Sequence, residues 1–285
     1  MAELIPQRSQ EHRSHQMGLH KEQLVGRSQE RYFSPEEGEA FLYPDASVVD
    51  FEKHAEFDAV NLGTTAINRR IRELMTEGYG DITVHSPLAK HSLGVCILGR
   101  LRLHFEGSLG YFGCGLIDGP NIHIKGRVGW SCAENMLSGT VVIEKNAGSS
   151  FGAALRGGDL VCRGDVGGRT AIDMKGGTIL IGGSTGAFSG FMMQRGRVVV
   201  LGNAGKNLGD SIYDGIIYVG GHVDSLGVDA VPSEMTELDV AWVTRKLQLY
   251  GLEAPNGVKN LQKIVSGKRL WNYDNLEPAE KKIVL

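Results

Sequence analysis

The stretch RLHFEGSLGYFGCGLIDGP (102–120), NIHIKGRVGWSCAENMLSG (121–139), TVVIEKNAGSSFGAALRGG (140–158), DLVCRGDVGGRTAIDMKGG (159–177), TILIGGSTGAFSGFMMQRG (178–196), RVVVLGNAGKNLGDSIYDG (197–215) decides the fold. In this 19-residue frame the ninth place is always glycine: Gly110, Gly129, Gly148, Gly167, Gly186 and Gly205. The nineteenth holds Pro120 and then Gly139, Gly158, Gly177, Gly196 and Gly215. The second and fourth places are apolar or Cys162, from Leu103/Phe105 to Val198/Val200. That alternation is the mark of a strand with one buried face. A second apolar column fills the sixteenth place (Ile117, Met136, Leu155, Met174, Met193, Ile212), and the thirteenth place is small throughout, from Cys114 to Gly209.

Such a repeat makes each segment one turn of a coil. Glycine reaches positive φ at little steric cost, so a fixed glycine reads as a fixed corner. Each strand then pairs with its equivalents about 4.8 Å above and below, and the inward columns fuse into a core that no single turn could bury. The expected fold is all-β: a single-stranded right-handed parallel β-helix of about seven turns with 19-residue repeats, flanked by short helices. The hand follows from the strong preference of parallel crossovers. Neither the hexapeptide period of left-handed coils nor the GGxGxD period of calcium rolls occurs.

Four regions follow. Residues 1–55 are polar and aperiodic and read as an extended N-terminal arm. Residues 56–82 read as a lead-in helix and cap: TTAINRRIRELMTE (64–77) sets Ile67, Ile71 and Leu74 at helical spacing, with a threonine as N-cap and Gly78 as stop. Residues 83–231 form the coil, with degraded turns at Thr83–Leu101 and from Ile216 onward. Residues 232–285 read as a C-terminal helical segment and tail. There EMTELDVAWVTRKLQLY (234–250) turns Leu238, Val240, Val243 and Leu247 to one side, and 258–285 reads as a further helix and a tail with Trp271 and Tyr273.

A net charge of −3 gives no basic footprint for nucleic acid or an anionic membrane. No run approaches the roughly 18 to 20 apolar residues of a membrane span. The polar N-terminus is not a secretory signal, and the four cysteines contain no CxxC pair, so a cytoplasmic setting is expected.

Motifs for chemistry are missing: there is no Walker loop, HExxH, GxSxG or metal-type cysteine cluster. GxGxxG-like strings recur at corner spacing, as a glycine lattice dictates. His104 and His123 share the third place of successive turns, but the next residue in that column is Val142, so they read as an outward solvated pair. Cys114 and Cys132 read as small core residues. Asp118, Asp159, Asp165, Asp173, Asp210 and Asp214 fall at different frame places, whereas carbohydrate-active β-helices need converging carboxylates. No catalytic, cofactor-binding or metal residue is expected. One outward stripe stands apart: Val142, Val161, Leu180, Val199 and Tyr218 continue the third place as apolar residues. A strand apolar on both faces is covered on both, here by the 234–250 helix or by another subunit.

The lattice resembles the GXGXG β-helix domain at the C-terminus of the glutamate synthase large subunit, a domain shared with the β-helix subunit of formylmethanofuran dehydrogenase. The similarity spans roughly residues 60 to 230 and includes NLGTTAINRRIRELMTEGYG (61–80). LGYFGCGL (109–116), AENMLSG (133–139), FMMQRGRVVVLGNAG (191–205), LGDSIYDG (208–215) and SLGVDA (225–230) look most like the stand-alone β-helix subunit of N-methylglutamate synthase, or methylamine–glutamate N-methyltransferase. The resemblance implies a non-catalytic packing body. It would brace a glutamine-amidotransferase-like subunit and an FMN-dependent synthase subunit, with FMN and an iron–sulfur cluster on the synthase chain and no cofactor here. A formylmethanofuran-dehydrogenase-type subunit and an autonomous carbohydrate-active enzyme remain the alternatives. The long N-terminal arm and the C-terminal tail depart from the compact subunit.

Overall fold

In the computed structural model, which describes residues 49–270, Arg102, Asn121, Thr140, Asp159, Thr178, Arg197 and Ile216 are register partners through seven successive parallel strands. The 19-residue period is therefore the circumference of the coil. These strands are β3 (Arg102–Glu106), β4 (Asp118–Ile124), β5 (Ser138–Ile143), β6 (Asp159–Cys162), β7 (Lys175–Ile181), β8 (Arg195–Val200) and β9 (Ile216–Val219). Before them lie β1 (Asp50–Asp58), helix α1 (Thr64–Thr76) and β2 (Tyr79–His85). After them come β10 (Ala230–Ser233), helix α2 (Glu237–Leu249) and β11 (Gln262–Ser266). The sheet order is β1 to β9 in sequence, then β11 and β10.

The coil is an all-β parallel solenoid with a strand side, a narrow second side and a turn side. On the second side one bridge per turn suffices, running Leu109, Val128, Ala147, Val166, Thr185, Ala204 and Val223. The seventh place supplies a side-chain ladder there: Asp165 N–H donates to Asn146 Oδ1, Ser184 N–H to Asp165 Oδ1, and Asn203 N–H to Ser184 Oγ. Backbone donors at the corner are thus satisfied without strand pairing.

The turn side is irregular in appearance and periodic in fact. At the eleventh, thirteenth and fifteenth places φ is positive in each repeat, even where the residue is Phe112, Cys114, Leu116, Arg169 or Phe188. Ala153 N–H donates to the Ser150 carbonyl and Leu155 N–H to that of Gly152, so consecutive β-turns share residues. Their third residues carry the positive φ of type II turns. For a non-glycine residue this conformation costs about 1–2 kcal/mol. It is held by bonds between turns, such as Phe112 N–H to Trp130 O and Ser131 N–H to Ser149 O.

The two glycine columns have different causes. Gly139, Gly158, Gly177 and Gly196 do have positive φ, but the ninth-place glycines do not. There, crowding decides: a Cβ on Gly148 would lie 2.6 Å from Trp130 Cδ1 and 2.8 Å from the Gly129 carbonyl carbon. The ninth place is glycine because the preceding turn passes too close for a side chain.

One core fills the coil from Ile67 to Ile264. Its lower end is closed by α1, which buries Ile67, Ile71, Leu74 and Met75. Asn68 of the same face donates to Ser92 O and accepts from Gly94 N–H, engaging the first turn's backbone. The helix starts at Gly63, with no side-chain cap, and not at a threonine; Thr64 Oγ1 donates to His91 O instead. The first strand, β1, lies partly within the stretch that reads as an arm and pairs in parallel with β2. At the upper end β11 runs antiparallel to both β9 and β10, in place of the further helix that the sequence suggests. The parallel ladder thus ends in a reversed strand, and Leu261 and Ile264 are buried there. Residues 1–48 of the arm and the tail with Trp271 and Tyr273 lie outside the described residues.

Candidate functional site

The outward stripe of the strand side is covered by this chain's own α2. Val161, Leu180, Val199 and Tyr218 are wholly buried against Val243, Leu247 and Leu261, while Val142 is partly buried at the margin. The helix faces inward with Asp239, Val243 and Leu247; Leu238, placed inside by its spacing alone, is 83% exposed. The sequence signal for the true phase is Thr236-x-x-Asp239, a capping box that fixes the helix start.

Two polar clasps hold α2 in place. Asp159 accepts from Lys246 Nζ at 2.7 Å and from Tyr250 OH at 2.6 Å. Buried Asp239 accepts from Tyr218 OH at 2.6 Å, Lys263 Nζ at 2.7 Å and both the N–H and Oγ1 of Thr236. Burial alone would raise the Asp239 carboxyl, but the bonds from Lys263, Thr236 and Tyr218 hold it far below the usual range. Burial and then the carboxylates push both tyrosine hydroxyls up, Tyr218 by Asp239 and Tyr250 by Asp159. Trp242 completes the contact, stacking 6.3 Å from Tyr218 beneath Arg197.

The other half of the strand side, over β2 to β6, is polar and internally paired. Lys125 meets Glu106 at 2.6 Å and Arg163 meets Glu144 at 3.0 Å. Asp81 draws His104, His54 and Arg102 within 3.4, 3.5 and 3.9 Å. His123 Nε2 is 2.8 Å from Glu144 Oε1. His104 and His123 do sit one above the other, ring centroids 6.1 Å apart, but each is tied to a carboxylate and is not merely solvated. Burial raises the Glu144 carboxyl, yet the His123 and Arg163 bonds leave it below its ordinary value. Among the described residues no three His, Cys, Asp or Glu side chains are grouped to hold a metal.

The remaining acids serve different local roles. Asp118 accepts from Ser138, Asp173 from Lys175 and Gln194, Asp165 from the corner ladder, and Asp210 from Ser211. They do not converge with Asp159. Cys114, Cys132 and Cys162 are buried and Cys96 is exposed, all as free thiols. The hydrogen bond with Cys114, and then burial, push the Cys132 thiol well up; burial pushes that of Cys162 up to about 12.

The turn side is different. Tyr111 stacks between His91 (4.6 Å) and Trp130 (5.1 Å) at its corner, and Phe112, Leu116, Leu137, Phe188 and Met192 are exposed nearby or farther along it. No helix of the described residues is long and apolar enough to cross a membrane.

Comparison with known proteins adds a family and a relative. The GXGXG motif family matches residues 92–248, more than half of the chain. Over 88 residues the chain is 41% identical to Protein GlxC of Rhizobium meliloti (strain 1021). That stretch covers 30% of this chain and 39% of the relative, so the likeness spans well under half of either protein.

Proposed function

Since the chain belongs to the GXGXG family, we propose that it is a non-catalytic structural subunit of a glutamate-synthase-like complex, of the N-methylglutamate synthase type. In this reading it braces a glutamine-amidotransferase-like chain against an FMN-dependent synthase chain. FMN and the iron–sulfur cluster belong to the synthase chain, and this chain carries neither. The observation that carries the proposal is the coil itself. It is one continuous core from α1 to β11, with polar side chains on the strand side tied to one another. Such a body supports two neighbours at a fixed separation, because each turn is hydrogen-bonded to the next.

Co-purification from the native cell tests the reading. A tagged full-length chain should bring down an FMN-containing chain and an amidotransferase-like chain, and should be colourless once separated from them. A stable chain that captures neither would refute it. So would glycan cleavage by the chain alone, lost on changing one carboxylate such as Asp173→Asn.

A further inference from the structure

Phe112 and Leu116 on one turn, and Phe188 and Met192 four turns later, occupy the same two columns of the turn side, and all four are exposed. At about 4.8 Å per turn the two apolar ridges stand ~19 Å apart. Between them the same columns carry Ser131 and Asn135, then Ser150 and Ala154, then Arg169 and Asp173, with Ala153 alongside. The ridges thus flank three turns, the lower two carrying short side chains and the upper one Arg169 and Asp173, across a gap roughly as wide as one α-helix with its side chains, about 10–12 Å, once the bulk of the ridge residues is allowed for.

Charge adds a polarity to this trough. Arg169 is exposed on its upper slope and Glu134 is half-buried on its lower slope, and neither makes an ion pair among the described residues. Elsewhere the acids and bases of the strand side largely engage one another, and the apolar stripe there is already roofed by α2. Among the described residues, the turn side combines exposed rings with these two unpaired opposite charges.

We propose that this trough receives one amphipathic α-helix of a catalytic partner chain. The helix lies along the rungs, presents a carboxylate to Arg169 and a basic residue to Glu134, and seats its apolar stripe between the Phe112 and Phe188 ridges. This is helix-in-groove recognition. The inference rests on the subunit role above and assigns that role a surface.

The test uses the full chain co-expressed with its two partner chains. Ala153→Trp fills the floor at a residue without positive φ, and Arg169→Glu reverses the upper charge; Lys125→Glu on the strand side is the control. Circular dichroism establishes that each variant is folded. Each trough variant should weaken association at least about tenfold, the scale of a central interface residue, while the control stays within roughly twofold. If wild-type chain captures neither partner, the subunit role fails and the inference with it. If wild-type chain captures them and folded trough variants do so equally, only the inference fails. A photo-crosslinker placed at position 153 names the occupant: a cross-link to a helix of a catalytic chain supports the proposal, whereas one to a second copy or to residues 1–48 overturns it.

Discussion

Replacing Asp239 with alanine should undock α2 without unwinding the coil. In the wild-type chain its carboxylate accepts from Tyr218 OH, Lys263 Nζ and Thr236, at distances from 2.6 to 2.9 Å. Tyr218 is wholly buried and the Lys263 side chain is 12% exposed. The variant leaves an ammonium and a phenol without their acceptor and also removes half of the capping box. Breaking one partner out of a buried ion pair costs about 3–5 kcal/mol. At roughly 1.4 kcal/mol per decade that is a hundred- to several-thousand-fold shift toward the undocked helix. In a solenoid each turn's stability depends on its neighbours, so the loss should stay local.

Hydrogen exchange read by mass spectrometry checks this. Amides of 236–250 and 262–266 should lose protection on that scale, and those of β3 to β5 should keep theirs. Acid should mimic the variant. The folded carboxyl is depressed relative to the unfolded one, so its stabilisation is complete above the ordinary carboxylate range near pH 4. It is lost progressively as pH falls toward the folded value. Unchanged protection of α2 in Asp239→Ala, or loss spread evenly over all turns, would refute the reasoning.

Three further outcomes are expected. Gly148→Ala places a Cβ against Trp130 and the Gly129 backbone and should destabilise by about 1–3 kcal/mol in denaturant titration, although φ there is not positive. Gly63→Ser should do the reverse, because the α1 N-cap has extended backbone, no side-chain cap and nothing within 4 Å of a Cβ; a gain on the order of a few tenths of a kcal/mol is expected in the same titration. Alkylation of the folded chain by iodoacetamide should mark Cys96, with Cys114, Cys132 and Cys162 reacting only in denaturant, as peptide mapping would reveal.

Whatever the repeat multiplies is legible in the amino-acid order. A single Ile122 or Val141 says little, but six of them in register define a column, and Val161, Leu180, Val199 and Tyr218 require by the same logic that something cover them. The ends are a different matter, since each end occurs once. In β1, DFEKHAEFD, the inward alternation of Phe51, Ala55 and Phe57 is interrupted at Lys53, where the pairing with β2 also shifts register. In β11, QKIVS, one side chain, Ile264, is buried, and its reversed direction comes from closing a sheet edge, which leaves no periodic trace. The turn side is illegible for another reason. Its positive φ falls on Phe112, Leu116 and Arg169 as readily as on Gly152, because bonds from the adjacent turn impose the conformation and residue preference does not. The candidate docking trough lies on that same side. Its breadth depends on Phe112 and Phe188 holding one column four turns apart, while their neighbours Ser131, Ser150 and Arg169 differ. A repeat search averages such differences away. The columns that build the coil are legible because they are uniform, and the surface by which it would recognise a partner is hidden because it departs from that uniformity.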